Sequence, residues 1–138
     1  MVVSECIQFR TQGNGQVLDI TAEVRRLVQS CGLQDGIVTL FTPSSTSALT
    51  TIEYESGAVH DLQQLFDRLA PADIDYRLNL RWGDGNGHAH VRHALLGASL
   101  TIPFTDRQLT LGTWQQIVFV DFDNRARSRS IVVQILGE

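Results

Sequence analysis

Gln116-Ile117-Val118-Phe119-Val120, inside residues 112–123, and Ser130-Ile131-Val132-Val133-Gln134-Ile135-Leu136 after it are the stretches that set the fold class. β-Branched and aromatic side chains suit a pleated, half-buried surface, and these two runs are the clearest strands of the chain. Working back, Ser99-Leu100-Thr101-Ile102 and Leu109-Thr110-Leu111 alternate, and the pair can form a hairpin around Asp106-Arg107. Residues 36–42 hold the near-continuous apolar run Ile37-Val38-Thr39-Leu40-Phe41, which reads as a central strand buried on both faces; Pro43 breaks it. Residues 44–55 are rich in Ser and Thr, with Thr46, Thr50 and Thr51 supporting extended backbone. Residues 2–10 read as a first strand, closed by the Gln12-Gly13-Asn14-Gly15 turn.

Two segments break this pattern. Over 19–31 the apolar residues Val24, Leu27, Val28 and Cys31 follow helical spacing, with Asp19 or Thr21 to cap the start and Gly32 to end it. A second helix spans about 57–69, with Leu62, Leu65, Phe66 and Leu69 on one face and Pro71 as the stop. Two main helices and many later strands give an α+β class: a β-rich, sandwich-like fold with a largely antiparallel sheet.

With 138 residues, the chain has the size of a single domain, 1–138, and no linker or repeat divides it. The 43% hydrophobic and 19% charged content fits a globular protein. No window approaches the roughly 20 apolar residues of a membrane helix, and the start lacks the pattern of an export signal, so the cytoplasm is the default compartment. Cys6 and Cys31 are read as reduced core thiols. A net charge of −4 argues against a nucleic-acid surface. All 11 basic residues are arginine, which excludes covalent catalysis by a lysine amine.

Chemistry concentrates in Trp82-Gly83-Asp84-Gly85-Asn86-Gly87-His88-Ala89-His90-Val91-Arg92-His93. Imidazole is the side chain most suited to metal ligation or proton transfer near neutral pH, and the glycines suggest a flexible loop leading into it. On extended backbone His88 and His90 share a face; His90 and His93 meet only if the segment from Val91 is helical, and 91–96 reads equally as helix or strand. A catalytic metal would need a third ligand from elsewhere; the plainer reading is polar loop histidines. Glu53 and Glu55 share a strand face, where they repel unless a cation or proton separates them, unless one simply lies in solvent. His60 is read as solvated. Arg125, Arg127 and Arg129 line up on extended backbone, either to grip a phosphate or to pair with Asp121 and Asp123. Trp114, beside Gln115 and Gln116, can stack a flat heterocycle or fill core.

Leu111-Gly112-Thr113-Trp114-Gln115-Gln116-Ile117 and the terminal Val133-Gln134-Ile135-Leu136-Gly137-Glu138 resemble the ending of the YjbQ-like family, also called the secondary thiamine-phosphate synthase family. Phe41-Thr42-Pro43, Thr51-Ile52-Glu53-Tyr54-Glu55, Asn86-Gly87-His88-Ala89-His90 and Leu95-Leu96-Gly97 extend the resemblance over nearly the whole chain. It implies a β-rich homotrimer with sites near the subunit boundaries. It also implies a weak activity joining a pyrimidine diphosphate to a thiazole phosphate, with release of pyrophosphate. His90 matches the family's most dependable histidine, Glu53 its carboxylate after the Ser/Thr strand, and Asn86 the asparagine that opens the histidine motif. Many members carry a histidine where this chain has Ser44, and an acidic residue where it has His88.

The resulting expectation is an enzyme-like homotrimer acting on a small phosphorylated metabolite. Its catalytic residues are His90, Glu53 and Asn86. Ser44, Thr46, Trp114, Gln115, Arg127 and Arg129 contact phosphate or substrate, and His88 with His90 holds a divalent metal ion, Mg or Zn. The rival is a non-catalytic metal- or metabolite-binding trimeric module. A purely structural assembly role leaves the glycine–histidine segment unexplained.

Overall fold

Strand β7 (Gln116–Asp121) is the middle of a three-stranded antiparallel sheet, between β2 (Gln16–Asp19) and β4 (Ser47–Ile52). Its side chains alternate between two different cores. Ile117 and Phe119 face a cluster of 16 buried residues shared with a second sheet, and Val118 and Val120 face a cluster of seven under two helices. In this computed structural model, which describes residues 1–138, β7 is therefore the strand buried on both faces.

The second sheet has the order β1-β8-β3-β5-β6, built from β1 (Val2–Thr11), β8 (Arg127–Gly137), β3 (Gly36–Phe41), β5 (Ser99–Thr105) and β6 (Gln108–Leu109), and every pairing is antiparallel. Its inner face supplies Ile7, Val38, Leu40, Ile102, Phe104, Ile131, Val133 and Ile135 to the larger core. The expectation that β3 is buried on both faces fails: Val38 and Leu40 are fully buried, whereas Ile37 and Phe41 are exposed on the outer face. A five-residue apolar run does not by itself reveal whether a second layer covers it. Of the two free thiols, Cys6 lies on that same outer face and is exposed, so it is not a core residue, whereas Cys31 is half-buried and packs against the larger core.

Helix α1 (Thr21–Ser30) touches β6 and β7 and buries Val24, Leu27 and Val28 in the larger core. Asp19 Oδ1 accepts from Thr21 N–H at 3.0 Å, and Gly32, at φ +84°, follows its end, as the cap signals indicate. Helix α2 (Ser56–Leu69) and helix α4 (Gly87–Leu96) cover the far face of the small sheet through Phe66 and Ala89. Along α2, Phe66 is buried but Leu65 and Leu69 stay exposed, so the covered face is narrower than the leucine spacing suggests. Two further helices join the two expected: α4, and α3 (Arg77–Trp82). The sandwich class stands, with four helices. None of them is long and apolar enough to cross a membrane.

Phe119, fully buried and edge-on to Phe9 at 4.9 Å between centroids, links the two sheets. Phe119→Ala is expected to lower the unfolding free energy by about 3–5 kcal/mol, measured by urea titration.

Candidate functional site

The 43–46 connection between β3 and β4, the first turn of α4, and the turn joining β7 to β8 meet at one end of the sandwich. They enclose an open polar cavity of about 360 Å³ lined by Pro43, Ser44, Ser45, Thr46, Asn86, His90, Asp123, Arg127 and Arg129. Alternation explains the charged part. Phe119, Asp121 and Asp123 share one side of β7 and its extension, and Arg127, Arg129 and Ile131 share one side of β8. Where the two sheets part, the inward positions carry charge instead of hydrocarbon.

Arg129 is the centre of this arrangement. Its Nε and Nη2 donate to the two oxygens of fully buried Asp121 at 2.7 and 2.8 Å, a bidentate pair. Nη2 also reaches Thr46 Oγ1 and Nη1 reaches Ser44 Oγ, both at 2.9 Å. Four of its five N–H groups are thus engaged within the protein. Arg129 positions two hydroxyls and keeps one N–H, on Nη1, for anything that enters the cavity it lines. Arg127 differs. It pairs with Asp123 Oδ2 through Nε at 3.0 Å and Nη2 at 2.9 Å, its side chain is 35% exposed, and Nη1 is uncommitted.

Asp123 accepts from Asn124 N–H, Asn86 Nδ2, Thr46 Oγ1 and Arg127 Nε. Burial alone would raise its pKa, but these hydrogen bonds and the Arg127 charge outweigh burial and hold it below the usual carboxylate value. Because Nδ2 of Asn86 must face that carboxylate, its Oδ1 turns away, and this buried atom has no partner in the protein. Ser44 Oγ accepts from Arg129 Nη1, from Thr46 N–H at 3.2 Å and from Ser47 Oγ at 2.9 Å; Ser47 Oγ is in turn 2.7 Å from Thr42 Oγ1. A hydroxyl oxygen has two lone pairs, which these three donors share, and its own hydrogen is left to offer.

Asn86 and Gly87 open α4, so His88 and His90 stand on helix, not on the extended backbone that would pair them. Two residues apart on a helix is roughly 200° of rotation. His90 is half-buried and lines the cavity. His88 is buried beside Tyr76, with ring centroids 6.5 Å apart and Nδ1 unpartnered. Desolvation, reinforced by the Arg92 charge, lowers the His88 pKa. The proposed metal pair therefore does not converge, and no group of three or more His, Cys, Asp or Glu side chains that could hold a metal ion occurs in the chain. The residues do not fit a metal centre within one subunit. His93 Nδ1 lies 2.6 Å from the Ser47 carbonyl and must be its donor, fastening α4 to β4.

Glu53, Trp114 and Gln115 are elsewhere. Glu53 and Trp114 line a different cavity with Asp19, Tyr54, Glu55, Thr113 and Gln116, past the far end of β4. The six residues of β4 separate Thr46 from Glu53, on the order of 20 Å of near-extended chain. Trp114 is 72% exposed and fills no core, while Gln115 Nε2 donates to Thr51 Oγ1 at 3.1 Å. Within one chain Glu53 cannot act with His90. Glu55 resolves the expected carboxylate repulsion by turning to cap α2: its two oxygens accept from Gly57 and Ala58 N–H, each at 2.8 Å, and these bonds lower its pKa. The sequence reading weighed Asp121 and Asp123 only as partners of the arginines, and Ser47 and Thr42 not at all; the Asp-Phe-Asp and Arg-Ser-Arg spacings were the available signal.

Two outcomes follow. Arg129→Ala strands the buried Asp121 charge and is expected to cost about 3–5 kcal/mol in a denaturant titration. For pH, His88 folds with a lowered pKa, so the unfolded chain binds more protons just below the ordinary value of 6.5, and stability falls as pH drops through that range. Asp123, also lowered, removes further stability only as pH falls below 3.8. His88→Gln is expected to erase the first loss and retain the second, read from urea midpoints across pH.

Comparison with known proteins gives this architecture a place. The family model described as "UPF0047 protein YjbQ-like" matches residues 5–138. A UPF0047 protein of Archaeoglobus fulgidus is 35% identical over 130 residues, covering 94% of this chain and 98% of the relative. The UPF0047 protein YugU of Bacillus subtilis is 30% identical, covering 95% and 97%. Among solved structures, a YbjQ-like protein of unknown function from Sulfolobus solfataricus P2 superposes with a TM-score of 0.90 at 30% identity over 100% of both chains. A hypothetical protein from Aeropyrum pernix K1 gives 0.87 at 32% identity, over 97% of this chain and 99% of that one. The chain belongs to the YjbQ-like UPF0047 family.

Proposed function

We propose that this protein is an enzyme-like homotrimer that binds a phosphorylated small molecule in the cavity between Ser44 and Arg127. The observation that carries the reading is the hydroxyl of Ser44, held by three donors so that its own hydrogen is left to offer. Three donors then converge on one volume: this hydroxyl, the uncommitted edge of Arg127 and the imidazole of His90. Phosphate oxygens are acceptors only, and such a set is what they require. Because each arginine already faces a carboxylate, the site suits one phosphoryl end better than a densely charged chain of them.

In the transfer the family resemblance implies, a carbon–oxygen bond to pyrophosphate breaks as a carbon–nitrogen bond to the thiazole forms. Arg127 and Ser44 would stabilise charge growing on the departing oxygen, with His90 as the proton source. No step is routed through a metal. Glu53 and Trp114 enter the same site only from another subunit. Trimer assembly is supported by the outer face of the large sheet, where Val2, Cys6, Ile37, Phe41, Val132 and Leu136 are exposed and Arg10 is the one charged side chain.

The test is thiamine phosphate formation from the two phosphorylated precursors, followed with calorimetric binding of pyrophosphate. His90→Ala is expected to reduce turnover about 10²-fold or more with binding largely kept, and Arg127→Ala to weaken pyrophosphate binding. Unchanged turnover in His90→Ala removes its catalytic role; binding without turnover on any such pair leaves the rival reading, a non-catalytic metabolite-binding module. Val132→Asp, at the centre of the outer face between Cys6 and Phe41, is expected to convert the trimer to monomer in sedimentation.

A further inference from the structure

Arg92 stands on α4 two residues after His90 and therefore points away from the phosphate cavity. Its side chain is only 6% exposed. Nε donates to the Ala70 carbonyl at 3.0 Å, at the end of α2, and Nη2 meets Asp67 Oδ1 at 3.3 Å. The guanidinium carbon lies 6.0 Å from the centre of the Phe66 ring and 5.7 Å from that of Phe122. A cation this deeply placed calls for a close counter-charge, yet the Asp67 side chain is 61% exposed and gives a single long contact. Such a screened carboxylate neutralises little. Pinning α2 to α4 uses Nε and Nη2 alone, and Nη1, which has no acceptor in the protein, is not sealed from solvent and is open to a ligand.

Next to Arg92 is a partly enclosed cavity of about 190 Å³ between α2 and the small sheet. Its apolar walls are Val17, Leu62, Phe66, Val120 and Phe122, and the amides of Asn14, Gln63 and Gln64 make the rest of the lining polar. An apolar cavity of about 150 Å³ is large enough to hold benzene, so a ring carrying one small substituent fits here. We propose that this cleft is a second ligand site, taking a small carboxylate with an aromatic or compact apolar body. The carboxylate would accept from Arg92, and the body would pack on Phe66 and Phe122. A single cation, Arg92, with the Asp67 carboxylate at the rim favours a monoanion over a phosphate dianion. The site is separate from the proposed phosphate cavity and does not depend on its function.

The probe is benzoate, titrated into the full-length protein and followed by amide chemical shifts, with benzamide as the uncharged isostere. Saturable millimolar binding is expected, with shifts at Gly15, Val17 and Phe122 and with benzamide clearly weaker. Asp67→Asn removes the competing carboxylate and is expected to tighten benzoate about twofold to fivefold. Leu62→Trp fills the cleft and is expected to abolish binding; Asp67→Asn, at an exposed position, keeps the test decisive if Leu62→Trp does not fold. No saturable shift, benzamide binding as well as benzoate, weaker binding in Asp67→Asn, or undiminished binding in a folded Leu62→Trp variant would each overturn the proposal.

Discussion

The bidentate pair between Asp121 and Arg129 is the constraint on which both fold and site depend. Asp121 has no solvent exposure, and its charge is met by Arg129, by Thr11 Oγ1 and by the Asp123 N–H. These partners come from β8, β1 and the end of β7, so one carboxylate ties the small sheet to the large one at the point where their hydrophobic contact stops. A buried pair of this kind adds little net stability over an apolar equivalent, but losing one member is costly. That asymmetry penalises any register in which β7 and β8 are out of step. A one-residue slip of either strand would turn its charge onto the opposite face.

The same pair delivers the chemistry at the cavity mouth. Once Arg129 is pinned by Asp121, its remaining donors can only point at the 43–46 connection, and they hold Ser44 and Thr46 there. Asp123, one alternation further on, gathers Asn86 from α4 and Arg127 from β8. Four separate segments are thereby organised by two carboxylates spaced two apart. The loop at 12–15 closes the back. Gly13, at φ +76°, runs so close to the Arg125 carbonyl that a Cβ would stand 2.5 Å from it, and Asn14 N–H donates to the Asp123 carbonyl at 2.6 Å.

Legibility in the sequence followed periodicity. α1, α2, the β5–β6 hairpin and the two late strands announce themselves because each buries one face or runs apolar throughout. Strand β2 is four residues long and merges with the cap of α1, too short to show alternation. Helices α3 and α4 were hidden for different reasons: α3 buries no residue at all, and α4 begins at glycine and packs through Gly87, Ala89, His88 and Arg92 instead of leucines. Reading 82–90 as a loop then placed His88 and His90 on one face, and the metal pair followed from that backbone assumption. For Trp114, exposure removes the core-filling alternative: it stands in the turn ahead of β7, where no layer covers it. Glu53 was linked to His90 by resemblance, and no local pattern could say that β4 carries them to opposite ends.

His88 and Ser44 are better understood together. A histidine at position 44, which the family resemblance implies for many members, would put its ring at the cavity mouth in place of the hydroxyl that Arg129, Thr46 and Ser47 now hold. His88 cannot replace that ring. It lies on a different side of α4, beside Tyr76, where desolvation lowers its pKa, and it does not line the cavity. The exchange therefore leaves one imidazole, His90, at the mouth and adds a hydroxyl donor in place of a second titratable group. His90 is therefore the imidazole that can exchange a proton at the mouth, while the Thr42, Ser47 and Ser44 hydroxyls form a hydrogen-bonded chain that runs from the buried Thr42 out to the cavity.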